Sequence, residues 1–170
     1  MEKIFYAFIV PRKGFTQPAA VHEQWHIDFS YIKISGAFYY FISILEGYSR
    51  KILVWDLCQT MDGINAEVLV ARAKELYPEA KPRIISDNGS QFCSKDFREL
   101  VVLLELEQTF TSPAHPQSNG KLERFHRTFK TGHVRQTEYL GYADAKAGMS
   151  RWIAYYNTER LHSAIWYLPP

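Results

Sequence analysis

The sequence predicts a mixed α/β domain, and three observations carry that prediction. Three segments of strand character follow one another before residue 60, joined by short turns. Two further short apolar segments are each preceded by a stretch of helical period, and the last third reads as two helices. The expected order is therefore β-β-β-α-β-α-β-α-α, a sheet whose later strands are joined by helical crossovers.

The bulk composition is consistent with one such domain. The chain has 170 residues, 46% hydrophobic, 15% aromatic and 22% charged, enough to bury one continuous core and too apolar for a disordered segment. Net charge is only +2, so any polyanion partner has to be sought in the placement of charges. Cys58 and Cys93 stand alone, which excludes a four-cysteine zinc site and gives no sign of a disulfide framework. That pattern points to a reducing compartment. The most apolar stretch, 37–45, is too short to span a bilayer, so no membrane partner is expected, and Met1-Glu2-Lys3 does not open a signal peptide.

Residues 1–20 are punctuated by Pro11, Gly14 and Pro18 and read as an arm or linker remnant, with the domain proper over 21–170. Trp25, Ile27, Phe29 and Tyr31 alternate with His26, Asp28 and Ser30, a strand with one apolar face. Gly36 marks a turn before a well-buried strand over 37–45, and Gly47-Tyr48-Ser49 marks another before a strand over 51–57. The three together predict an antiparallel meander.

The period then changes. Ala66, Leu69, Ala73 and Leu76 share one helical face, Asp62 is placed to favour the amino end, and Pro78 and Pro82 close the helix. Arg83-Ile84-Ile85-Ser86 is a short strand running into Asp87-Asn88-Gly89. Ser94 is the expected N-cap of a helix carrying Phe97, Leu100, Val101 and Leu104, and a strand over 108–110 follows. Residues 111–120 form a polar loop rich in turn residues, expected to be mobile without a partner. A long helix is expected from about Ser118 toward Glu138, and a last one over 144–156.

Three acids are candidates for chemistry, and each has a plainer reading. Asp87 follows an apolar strand, where ligands of α/β sheets gather, yet Asp-Asn-Gly is also strong turn chemistry. Asp28 lies within a strand, where Asp is depleted, but is unremarkable on the polar face of an edge strand. Glu123 lies one turn into a helix, where an acid favours the dipole anyway. Three carboxylates meeting from two strands and a helix suit hard divalent cations, which choose oxygen ligands.

Longer stretches around those acids carry more information. Trp25-His-Ile-Asp28-Phe-Ser-Tyr-Ile, Ile85-Ser-Asp87-Asn-Gly-Ser-Gln-Phe, Ser112-Pro-Ala-His-Pro-Gln-Ser-Asn-Gly-Lys-Leu-Glu123-Arg-Phe-His and Tyr156-Asn-Thr-Glu-Arg-Leu-His-Ser-Ala follow in that order. Together they resemble the catalytic core of the DDE transposase–integrase family, and within it the bacterial insertion-sequence transposases whose cores look like retroviral integrases. Thirty-five residues separate Asp87 from Glu123, the spacing that family is known for.

The resemblance implies a ribonuclease H-like fold: a five-stranded mixed sheet, its first three strands antiparallel, flanked by helices. It implies Asp28, Asp87 and Glu123 as catalytic residues and metal ligands, with two Mg2+ (or Mn2+) ions in the active complex. The implied activity is phosphodiester hydrolysis at a DNA end followed by attack of the freed 3′ hydroxyl on another strand, with no covalent enzyme intermediate. DNA, both element ends and target, is the implied partner, in a homodimer or higher oligomer of the bacterial cytoplasm associated with the nucleoid.

Two departures from the family stand out. Glu46-Gly-Tyr-Ser-Arg replaces a version that relatives often begin with Asp, a change expected to matter little in a turn. No helix-turn-helix precedes the core and no zinc module is present, as expected for an excised core or a shortened gene product.

The expected DNA surface follows Glu123. Lys121, Arg124, Arg127, Lys130 and Arg135 oppose that one acid, and Arg127 and Lys130 fall on its helical face. The plainer reading is a solvated helix face with an i,i+4 pair. His115, Gln117, Asn119 and Lys121 crowd the preceding loop, with Gly120 as a candidate hinge, and Asn88 and Gln91 either position the DNA backbone or tie down their turn. His26 and His162 are assigned structural roles, and Tyr155 to Arg160 is expected to pack the last helix on the sheet, with Arg160 in reach of DNA. The rivals are a nuclease that cleaves without joining and a non-catalytic DNA-binding module.

Overall fold

The computed structural model describes residues 16–111 and 120–170. Strands β1 (Gln24–Ile34), β2 (Ala37–Glu46) and β3 (Ile52–Cys58) form the antiparallel meander, pairing Asp28 with Ser43 and Ser43 with Trp55. The β1–β2 connection is the two-residue turn Ser35-Gly36, with φ of 47° and 87°, the left-handed pair that matches strand twist in a tight hairpin. Helix α1 (Gly63–Leu76) then crosses to β4 (Arg83–Ser86), and the short α2 (Ser90–Cys93) with α3 (Lys95–Leu103) crosses to β5 (Glu107–Phe110). Both crossovers give parallel pairs, and the sheet order is β3-β2-β1-β4-β5. Helices α4 (Gly120–Gly132) and α5 (Tyr142–Thr158) complete the domain. It is the five-stranded, ribonuclease H-like arrangement that the resemblance implied.

Two cores sandwich the sheet. Trp25, Ile27 and Phe29 of β1 join Ile42, Ile44, Leu69, Val70, Phe92 and Phe97 on one face. Ile32 and Ile34, with Phe41 and Leu45, join Leu122, Phe125, Phe129, Met149 and Ile153 on the other. β1 is thus central and covered on both sides. The expectation of one apolar and one polar face fails: His26 is fully buried and Ser30 nearly so, because α4 and α5 lie over the side that the alternation suggested was wet.

Local chemistry fixes the helix boundaries. Asp62 caps α1, its Oδ1 accepting the Asn65 N–H at 3.1 Å, and Ser94 caps α3 by accepting from Phe97 N–H at 3.2 Å. Leu76, placed by periodicity on the inner face of α1, is instead exposed, and Val70 takes the buried position. The long fourth helix stops at Gly132, short of the expected Glu138, and a 3₁₀ turn over Val134–Gln136 follows. Its expected start at Ser118, the loop 112–119 and the arm residues 1–15 lie outside the described residues.

The end of α5 is locked to the sheet as its polar residues suggested. Asn157 accepts from Ile52 N–H and donates to Ile52 C=O, both at 2.9 Å, imitating a neighbouring strand at the edge of β3. Trp152, Ile153 and Tyr156 pack into the core under α4 and α5.

Candidate active site

Asp28 and Asp87 come from adjacent strands in a common register. The three paired rows of β1 and β4 are Gln24–Arg83, Trp25–Ile84 and His26–Ile85, an offset of 59 positions (83 − 24), and Asp28 and Asp87 share that offset (87 − 28). Both acids lie two residues past the last paired row. Asp28 alternates in phase with Ile32 and Ile34, so it belongs to the face that α4 covers. It is half-buried, and its Oδ1 accepts the Phe29 N–H at 2.8 Å. Asp87 is half-buried in the turn after β4, and one oxygen accepts the Gly89 N–H at 2.8 Å. The turn role weighed for Asp87 is therefore real for Oδ1.

Glu123 is exposed on the first turn of α4. The inner face of that helix buries Leu122, Phe125, His126 and Phe129, which leaves Glu123 and Lys130, seven residues apart, along one flank. Among the described residues Glu123 takes no hydrogen bond or ion pair. Lys130 is half-buried. Desolvation and Arg135 lower its pKa while the Asp28 carboxylate raises it, so Lys130 and Asp28 sense each other across the α4–β1 contact.

Hard cations prefer the all-carboxylate donor set that these three residues provide. Among the described residues, however, no group of three or more His, Cys, Asp or Glu side chains is gathered closely enough to hold a metal ion. The register aligns two of the acids and α4 carries the third over the same face.

The expected DNA contacts divide into three groups. His115, Gln117 and Asn119 lie outside the described residues. Arg124 and Arg127 are exposed on α4. Lys121 is turned back, its Nζ donating to Gly47 C=O at 3.0 Å, and burial with the nearby Arg50 guanidinium lowers its pKa to about 8. Asn88 is exposed and its amide donates to Thr111 C=O at 3.3 Å, tying the Asp87 turn to the end of β5, and Gln91 is buried.

Glu46 and Arg50 escaped the sequence reading, which treated their turn as unimportant. Glu46 is fully buried, and its carboxylate accepts backbone N–H groups from His22, Tyr48 and Ser49. A side chain at Gly47 would be tightly placed, its Cβ 3.0 Å from Gln24 O and 3.2 Å from His26 Nε2. A charged residue at the end of an apolar strand was the available signal.

Fold and register together define a ribonuclease H-like domain with two acids in one register just past the ladder of its central strands. Residues 18–116 match one integrase core domain family and residues 104–170 match a second family of the same description. The chain belongs to the integrase core domain family. It is 24% identical over 153 residues to the transposase for insertion sequence element IS904 of Lactococcus lactis, covering 89% of this chain and 60% of that protein. An insertion element IS136 uncharacterized protein of Agrobacterium fabrum is 31% identical over 129 residues, 72% of this chain and 66% of the relative. The chain thus spans 60–66% of the length of these two relatives.

Among solved structures, the simian T-cell lymphotropic virus intasome, in complex with PP2A regulatory subunit B56 gamma, superposes with a TM-score of 0.75 at 18% identity, over 92% of this chain and 56% of that one. The dimeric HTLV-2 integrase catalytic core domain in complex with magnesium gives 0.68 at 16% identity, over 88% and 97%. At those identities the likeness speaks for the fold.

Proposed function

We propose that this domain is the catalytic core of a DNA transposase or integrase, cleaving a phosphodiester at a DNA end and joining the 3′ hydroxyl to a target strand. The observation that carries this reading is the shared register of Asp28 and Asp87 just past the β1–β4 ladder, on the face where α4 bears Glu123. Asp28, Asp87 and Glu123 are the metal ligands in this reading, with two Mg2+ or Mn2+ ions. Ions held by these carboxylates would supply the Lewis acidity that a phosphodiester displacement needs.

The chain's own residues have separable tasks. Asp87 keeps Oδ2 for ligation while Oδ1 holds the turn through Gly89, so the turn orients the ligand. Asp28 is held by its strand and by the Phe29 N–H. Lys130 places a cation beside Asp28, which offsets repulsion between the acids and favours a phosphate alongside them. Arg124 and Arg127 continue that positive surface along α4. DNA is the substrate class, and the magnesium of the HTLV-2 core and the DNA-bound assembly named by the word intasome support both choices. A homodimer or higher oligomer, acting at the bacterial nucleoid, accompanies the reading.

The test uses pre-cut duplex ends with Mn2+. Wild-type chain is expected to produce joined strands, and Asp87→Asn is expected to lose joining while its circular dichroism stays unchanged. Wild-type-like joining by Asp87→Asn sinks the assignment. Metal-dependent cleavage without joined product moves the reading to a nuclease.

A further inference from the structure

The β2–β3 turn, at the start of the helix that carries Glu123, gathers positive charge. Arg50 ends that turn with φ of 72°, in the left-handed region that costs an ordinary side chain about 1 kcal/mol or more and that glycine adopts freely. Both backbone groups of Arg50 are used: its N–H donates to Glu46 C=O at 2.9 Å, and its C=O accepts from the Tyr156 hydroxyl at 3.2 Å. Neither bond requires an arginine. The guanidinium itself is half-buried, and among the described residues its Nη1 is sequestered from solvent without a hydrogen-bond partner.

The neighbours are cations. Lys121 reaches the same turn through Gly47 C=O, and its ammonium feels Arg50. Arg124, one turn further along α4, lies near enough to depress the Arg50 pKa, after the larger effect of burial. Arg160 follows α5, with its backbone N–H on Tyr155 C=O, and acts with Arg50 on both Tyr156 and His162. The nearby acid, Glu46, is buried, accepts three backbone N–H groups and offsets part of the positive charge of Arg50. Four cations around the buried Glu46 carboxylate, with Arg50 at a strained position that glycine would fill more cheaply, describe a surface suited to an anion.

We propose that Arg50, Lys121, Arg124 and Arg160 form one phosphate-holding site that grips the DNA backbone at the β2–β3 turn, beside the start of the helix that carries Glu123. The proposal rests on the reading of DNA as the substrate, and it adds Arg50 and Arg160 as residues of one clamp with the start of α4. The clamp fixes the duplex against the rigid corner where β2, β3, α4 and α5 meet. It contributes affinity and positioning but no chemistry.

Fluorescence anisotropy of the full chain with a short labelled duplex of arbitrary sequence, titrated in EDTA at several salt concentrations, tests it. Arg50→Gly is expected to weaken binding roughly fivefold to tenfold and to make the salt slope shallower by about 1. Its melting temperature is expected to hold or rise, because glycine relieves the backbone. Arg160→Gln is expected to lose a similar amount of affinity, and Lys95→Gln, on the distant α3, almost none. Unchanged binding by folded Arg50→Gly, or an equal loss in Lys95→Gln, overturns the site. If Arg50→Gly binds normally while Asp87→Asn abolishes joining, the clamp fails and the enzyme reading stands. If the wild-type chain binds no duplex at low salt, both fall.

Discussion

The Glu46 carboxylate accepts the Ser49 backbone N–H at 2.6 Å, closing the β2–β3 turn from inside the protein. The same two oxygens also take the N–H groups of His22 and Tyr48, so one buried side chain joins the start of β1 to the end of β2. Glu46→Ala would leave those donors without their acceptor. Charge-assisted bonds of this kind contribute about 1.5–3 kcal/mol each when lost singly, and relaxation limits the total to about 2–4 kcal/mol. Urea denaturation is expected to register that loss. A change below about 0.5 kcal/mol would mean that the turn closes without the carboxylate.

Metal linkage offers a measurement independent of turnover. A ligand that binds only the folded state stabilises it by about 2.7 kcal/mol at one hundred times its dissociation constant. Millimolar Mn2+ is therefore expected to raise the melting temperature of the wild-type chain, and to raise that of Asp28→Asn far less. Equal shifts in the two proteins would place the bound metal elsewhere.

Acid is expected to weaken the fold through His126. Desolvation, with a smaller effect from Lys130, lowers its pKa from the ordinary 6.5 to about 3. The unfolded chain takes up the proton below about pH 6.5 and the folded chain does not until about pH 3, so the stabilisation is full above 6.5 and is lost as pH falls between these values. His126→Phe, flanked by Phe41 and Phe125, should flatten the pH dependence of denaturation midpoints between 6.5 and 4. His133 and His162 have lowered pKa values too, chiefly by burial, and leave a residual slope. A profile as steep as the wild type's would show that His126 contributes none of it.

Trp166 occupies the left-handed region at φ 60° and ψ 34°, with 90% of its surface exposed. Backbone strain there is not offset by burial. Trp166→Gly is expected to stabilise the chain by about 0.5–1 kcal/mol, the relief of strain exceeding the extra entropy of the unfolded glycine. A lower melting temperature would mean that the indole makes contacts worth more than the strain.

The elements most legible in the sequence were those with local chemistry to announce them. Asp62 and Ser94 cap the helices they were expected to cap, and Arg83–Ser86 forms a strand with the expected bounds. Positions decided by distant partners were less legible. His26 and Ser30 looked polar and are buried, because α4 and α5, about one hundred residues later, cover that face. The site follows the same division. The shared placement of Asp28 and Asp87 was suggested by the words around them and, for Asp87, by its strand end, whereas the surroundings of Arg50 were not legible because its backbone angle and its cationic neighbours exist only after folding.

The β1–β4 ladder has three rows, and side chains along a strand point alternately to opposite faces. Inserting or deleting one residue between Gln24 and Asp28 would rotate Asp28 away from α4 toward the Phe92 core, whatever residue was added. A substitution at the fully buried Trp25, His26 or Ile27 disturbs one packing site, whereas a change of length shifts every later side chain of the strand at once. The number of residues between Gln24 and Asp28 is thus a constraint in its own right, added to that of their packing.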